Sequence, residues 1–227
     1  MTGTIVNTGA IIVGSAIGIV AGNRLPERLK TILMQSLGLS TLLIGMQMAL
    51  SGRDVIPIIG CLLLGALTGE LLRIEDGLDR VGLWLKTRSR SNSSTFVEGF
   101  VTASLLYCTG AMVIVGSIQD GTTGNATTLY VKAMLDGVAS IAFASTLGIG
   151  VVFSAASVFL VQGLITLLSS QLSFLQEPAM LGAVTSTGGL LIVAIAVNLL
   201  GAAKIRVGNL LPALVYAILW NSFSAAV

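Results

Sequence analysis

Between Gly137 and Ser170 the chain carries no charged side chain, and apolar runs of comparable character recur along the rest of it. A helix needs about 20 residues to cross the hydrocarbon of a bilayer. The runs here are continuously apolar, whereas the strands of a membrane barrel alternate with period two, so helices are expected. Composition points the same way. Hydrophobic residues make up 54% of the 227 residues and charged residues 10%. A soluble domain carries about 25% charge, so a soluble enzyme of this size is excluded, and so is a disordered chain. The expected fold class is all-α, a polytopic integral membrane protein with 1–227 as a single transmembrane domain.

Eight spans are expected: Ile5–Gly22, Ile32–Leu50, Val55–Leu72, Phe100–Ile118, Met134–Leu147, Val151–Leu168, Met180–Leu200 and Leu210–Ala226. The uncharged stretch is too long for one span, and Gly148-Ile149-Gly150 is its only break. It is read as a tight hairpin; a single tilted or re-entrant helix is the alternative. The four prolines, Pro26, Pro57, Pro178 and Pro212, stand at or near expected helix starts, where a missing N–H costs little.

Charge placement orients these spans, because short cytoplasmic loops collect Lys and Arg. With the N-terminus outside, the loops after spans one, three and seven face the cytoplasm. They hold Arg24, Arg28 and Lys30, then Arg73, Arg80, Lys86, Arg88 and Arg90, then Lys204 and Arg206. Of the 12 basic residues only Arg53 and Lys132 lie elsewhere. The expected topology is therefore multi-pass, with both termini outside. Residues 73–96 form a cytoplasmic loop. Within it Ile74, Leu78, Val81 and Leu85 recur at helical spacing among charges, which predicts an amphipathic surface helix with Trp84 near the headgroups.

Net charge is +2 and histidine is absent. The first gives no reason to expect a nucleic-acid partner; the second removes the commonest metal ligand and general base. Cys61 and Cys108 lie in apolar runs and read as buried thiols. No metal motif, phosphate-binding loop or nucleophile–base pair occurs, so no cofactor, no metal and no enzymatic activity are expected.

Short echoes recur. Thr8-Gly9, Thr109-Gly110 and Thr187-Gly188 each open a similar apolar phrase. Gly14 to Gly18 echoes Gly65 to Gly69, and Gly22-Asn23 echoes Gly208-Asn209. The Thr-Gly pairs are candidate helix breaks, where glycine admits a neighbouring backbone and threonine offers an oxygen; for any single pair, ordinary packing through small residues is the favoured reading. If the echoes are a true repeat, they mark where a transporter would hold its substrate.

An ionisable side chain at mid-membrane is expensive, which makes Asp136 the sharpest functional candidate. It heads a face of small residues, Asp136, Ser140, Ala144 and Gly148, suited to close helix packing beside a narrow polar track. The simpler alternative is an i,i+4 pair with Lys132 at the outer interface. Glu98 suits a helix N-terminus, and Glu70 suits a surface pair with Arg73. Asn7, Gln47, Gln162, Asn198 and Asn221 each need a partner in a dry interior.

Several phrases also carry a resemblance: Lys132 to Gly137, Phe143 to Ser145, Leu147 to Ala155, Thr185 to Gly189, Val207 to Leu214 and the opening Gly3 to Asn7. Together the chain resembles the domain-of-unknown-function family of small polytopic bacterial membrane proteins typified by YqgA and YdfK, over nearly its whole length. The resemblance implies a multi-pass protein of the bacterial cytoplasmic membrane and assigns no catalytic residue.

The expected function is a secondary transporter or ion-conducting protein for a small solute or ion. Asp136 would bind the coupling proton or cation, with Thr8, Thr109, Gly110, Ser140, Thr187 and Gly188 along the pathway and Asn198 orienting its oxygen ligands. The alternative is a non-transporting scaffold or partner subunit. Expected partners are the lipid bilayer and the transported ion or solute; small-residue faces also allow a homo-oligomer.

Overall fold

The structure, a computed structural model, describes residues 1–52 and 55–224. Arg53 and the last two residues of the expected eighth span lie outside them. Among the described residues ten α-helices follow in order: α1 (Thr2–Gly22), α2 (Glu27–Ala49), α3 (Val55–Leu72), α4 (Ile74–Arg88), α5 (Phe96–Cys108), α6 (Ala111–Thr122), α7 (Thr127–Leu147), α8 (Gly150–Leu167), α9 (Pro178–Leu199) and α10 (Pro212–Ser224). Short 3₁₀ turns cover Ser173–Gln176 and Val207–Leu210. No strand occurs among the described residues.

Among the described residues five helices, α1, α2, α3, α8 and α9, are long and apolar enough to cross a membrane. The bent pair α5–α6 makes six if it counts as one span. The expected eight is not reached by that measure. Helix α7 has the length, at 21 residues, but Lys132 and Asp136 dilute its hydropathy. Helix α10 is described over only 13 residues. Two boundaries also differ from expectation. The fourth span is two helices, bent by 63° at Thr109-Gly110. The helix of the expected fifth span, α7, begins at Thr127, so Asp136 lies well inside it instead of near its start.

The chain forms two compact units. The first comprises Met1–Leu37, Asp79–Cys108 and Met112–Ser173. Its main seam is α1 against α7, with α8 packed on both α1 and α5. The sequence dictates that seam. On α1 the bulky side chains Ile5, Ile12, Val13, Ile17 and Val20 point outward, while Asn7, Gly14, Ser15, Gly18 and Gly22 point inward. A Cβ at Gly14, Gly18 or Gly22 would run into the α7 backbone at Gly137, Ile141 and Ser145. Large apolar groups outside and small or polar ones inside is the arrangement of helices whose solvent is lipid.

Helices α7 and α8 are joined at Gly148, whose φ is +77°, so the uncharged stretch is a hairpin. Thr95 Oγ1 donates to the Leu147 carbonyl at 2.8 Å, satisfying one of the orphan acceptors at the end of α7. Helix α4 covers the expected amphipathic segment; Val81, Leu83 and Trp84 are exposed and Gly82 packs on Val97 and Phe100.

The second unit comprises Gly38–Leu78, Thr109–Ala111 and Phe174–Val227. Helix α10 packs on α3 and α9. The second echo, Gly65 and Gly69, is again a packing seam: a Cβ there would strike Ala213 and the Asn209 backbone. The Gly22-Asn23 and Gly208-Asn209 echo has no structural counterpart. Asn23 closes a helix, whereas Asn209 is buried within a 3₁₀ turn.

Candidate functional site

Within the first unit, four helices direct polar side chains to one place. Helix α7 supplies Lys132, Asp136 and Ser140, α1 supplies Thr4 and Asn7, α8 supplies Gln162 and Thr166, and α5 supplies Tyr107. All are buried. The i,i+4 spacing of Lys132 and Asp136 stacks them on one face of α7, and their charges meet at 2.6 Å with side chains 8% and 10% exposed. Asn7 Nδ2 donates to Asp136 Oδ2 at 3.0 Å and to Gln162 Oε1 at 3.1 Å. Tyr107 and Ser140 share a hydrogen bond of 2.9 Å. The Lys132 ammonium lies 6.0 Å from the Tyr107 ring centre, a distance at which a cation is attracted to an aromatic face. Thr4 and Thr166 hydroxyls stand 3.4 Å apart one turn from the amides.

The network is incomplete. Asn7 Oδ1 and Gln162 Nε2 are buried and have no hydrogen-bond partner among the described residues. Each such group has lost its hydration with nothing in exchange. An acceptor and a donor are thus left beside a buried ion pair.

The pairing of Lys132 with Asp136 agrees with the simpler sequence reading, but the pair is buried where that reading set it at an interface. Thr8 is apart from this cluster, its hydroxyl donating to the Thr4 carbonyl at 2.8 Å. Asp120, expected to follow the fourth span, lies inside α6 and is buried. It accepts the Gly3 amide at 3.1 Å, a carboxylate seated on the positive end of α1.

In the second unit the structure brings Thr109 and Gly188 together: a Cβ on Gly188 would stand 4.0 Å from that of Thr109. Of the three Thr-Gly pairs only Thr109-Gly110 breaks a helix. Gly110 has φ +145°, a conformation that side chains other than glycine rarely adopt. Thr8-Gly9 and Thr187-Gly188 lie inside continuous helices. Thr187 is fully buried and its Oγ1 has no partner among the described residues. Asn198 does not join this group. Both ends of its amide bond the Ile205 backbone at 2.7 Å, and eleven residues of helix separate it from Thr187 by about 16 Å.

Glu70 pairs with Arg206 at 2.6 Å instead of with Arg73. Its other oxygen accepts Asn209 Nδ2 at 2.6 Å, and Asn209 Oδ1 accepts the Glu75 amide at 2.7 Å. Glu75 in turn accepts the Gly208 amide. This lock on the 3₁₀ turn escapes sequence reading because its partners lie more than 130 residues apart. Among the described residues no group of His, Cys, Asp and Glu could hold a metal ion.

Two curated relatives align over almost the full length. The uncharacterized membrane protein YdfK of Bacillus subtilis (strain 168) is 33% identical over 218 residues, 94% of this chain and 93% of its own. The uncharacterized protein YqgA of Escherichia coli (strain K12) is 28% identical over 221 residues, 95% of this chain and 94% of its own. No solved structure matches the chain. Residues 2–222 match the family model described as protein of unknown function (DUF554). With the apolar helices, the inward-facing small residues and a membrane protein among its full-length relatives, the chain is an integral membrane protein of the DUF554 family.

Proposed function

We propose that this protein is a secondary transporter or ion-conducting protein for a small ion or solute, seated in the bacterial cytoplasmic membrane with its N-terminus outside. The observation that carries this reading is the buried Lys132–Asp136 pair bridged by Asn7 to Gln162, with one acceptor and one donor left open beside it. In this reading a proton or small cation binds at Asp136 by displacing the Lys132 ammonium, and the open acceptor on Asn7 lies beside that exchange. The break at Thr109-Gly110 supports the same reading, since irregular backbone at membrane depth is tolerated where it lines a cavity or is buried in protein. Catalysis has no part in it, and the partners are lipid and the transported species.

The test is flux. Protein reconstituted into liposomes is assayed for uptake of protons, alkali cations and small anions. Transport that depends on Asp136 and falls in Asp136→Asn supports the proposal; transport left unchanged by that substitution removes the role given to Asp136, and no flux across the panel removes the transport reading.

One observation favours the scaffold reading instead. The charge on Asp136 is already matched within its own helix, and the seam between α1 and α7 is closed to the level of backbone contact. A scaffold tolerates removal of both charges together. The variant Lys132→Met with Asp136→Leu therefore stays folded under both readings, and only the transporter loses flux.

A further inference from the structure

Two cavities in the second unit meet at Pro57 and Trp220. The first, of about 480 Å³, runs between α3 and α10 along Ile56, Gly60, Cys61, Leu64, Leu219 and Phe223. Its wall is almost wholly apolar, and its mouth is open: Ile56 is 84% and Phe223 72% exposed. From Ile56 to Leu64 the α3 wall is about 12 Å long at the rise of a helix. The second cavity, of about 430 Å³, is bounded by Ser51, Gly52, Asn221 and the first turns of α9. It sits at one end of the unit, where α2 and α10 finish and α3 and α9 begin.

A helical glycine lines each cavity. Gly60 lines the apolar one and Gly182 the polar one, and a Cβ at either would meet nothing within 4 Å. Gly65, by contrast, has Ala213 at the position of its missing side chain. Glycine inside a helix is destabilising relative to alanine. At Gly60 and Gly182 no packing requires it, and the space its missing side chain would take is open. Gly9 and Gly77 are the other helical glycines with such free space, and neither borders these cavities.

The polar cavity also has open hydrogen-bonding capacity. Ser51 Oγ already donates to the Met48 carbonyl at 2.7 Å, and Asn221 Nδ2 donates to the Ala217 carbonyl at 3.0 Å. Ser51 Oγ also lies 3.4 Å from the Ser186 hydroxyl, a contact that occupies one of its two lone pairs. What these side chains retain is acceptor capacity, on the other lone pair of Ser51 Oγ and on Asn221 Oδ1, and one donor, the second N–H of Asn221 Nδ2. No charged side chain lines the cavity among the described residues. The complementary ligand is an amphiphile with a hydroxyl, which both donates and accepts, at its head and a single hydrocarbon chain behind it. Trp220, at the junction, is the residue type suited to a boundary between lipid and polar surroundings.

We propose that the paired cavities bind a hydroxyl-bearing glycerolipid, one acyl chain in the α3–α10 groove and its glycerol end between Ser51 and Asn221. The proposal stands independently of the transport reading.

The experiment uses the full-length native protein in vesicles, photolabelled with a monoacylglycerol carrying a diazirine in its chain. Peptides holding residues 56–64 and 216–223 should take up label in excess of those from α1. Excess monoolein should abolish that labelling; methyl oleate, with the same chain and no hydroxyl, should leave it. Phosphatidylglycerol that competes as well as monoolein identifies a phospholipid with a glycerol headgroup as occupant. Phosphatidylglycerol that does not compete identifies a neutral acylglycerol. Gly60→Leu and Gly182→Leu, which fill open space, should each lower labelling about tenfold, equivalent to ~1.4 kcal/mol of binding, and Gly9→Leu should not. Equal competition by methyl oleate, or label spread evenly over all lipid-facing helices, would overturn the proposal.

Discussion

Truncating Asp136 alone would leave the Lys132 ammonium buried with no counter-charge. Breaking one half of a buried pair costs about 3–5 kcal/mol, whereas replacing both halves by apolar groups of similar volume is often neutral. Asp136→Ala should therefore lower the unfolding free energy in detergent by roughly that amount, and the Lys132→Met, Asp136→Leu variant should come within ~1 kcal/mol of the native protein. Denaturation followed by circular dichroism distinguishes the two. Equal loss in both variants would mean that the pair contributes through shape and not through charge. The sequence revealed half of this site. Asp136 stood out because a carboxylate in an apolar run demands a partner, and its small-residue face was visible as a four-residue spacing. Asn7 and Gln162 were visible only as amides in need of partners. Their meeting joins positions 129 and 155 residues apart, which no local pattern encodes.

At the scale of the element, the break between α5 and α6 has a single-residue cause. An alanine at position 110 would have room, since the nearest atom to its Cβ would be Met48 Cε at 3.6 Å. The cost lies in the backbone, because φ of +145° is unfavourable for any side chain, of order 1–3 kcal/mol. Gly110→Ala should lower the thermal midpoint, while Gly188→Ala, with a normal helical backbone and its nearest neighbour at 3.8 Å, should be close to neutral. A neutral Gly110→Ala would show that the bend relaxes at no cost. Three Thr-Gly pairs were equivalent as sequence, yet only one breaks its helix. The difference lies in which neighbours surround each pair, and that is a property of packing. The α7–α8 hairpin was legible, because Gly148-Ile149-Gly150 interrupts the one stretch too long to cross once.

For the whole molecule, the expected orientation makes a checkable pattern. A reporter active only outside the cytoplasm should be active when fused after Gly124, in the loop following α6, and inactive after Asn92, in the loop following α4. The reverse would invert the orientation deduced from ten of the 12 basic residues. Membrane class and helical content were legible from hydropathy alone. The count of spans was not: α7 has the length of a span, but its buried Lys132 and Asp136 lower its hydropathy. The grouping into two units was not legible either, because each gathers three separated stretches of chain.

The seam of α1 on α7 sets a limit on how this sequence can drift. Where backbone meets backbone at Gly14, Gly18 and Gly22, no accommodation by a neighbouring rotamer exists. Saturation mutagenesis should therefore record intolerance with a period of four along α1, interleaved with free exchange among bulky residues at Ile12, Val13 and Ile17. That rhythm would be inherited by every sequence that keeps these two helices in register.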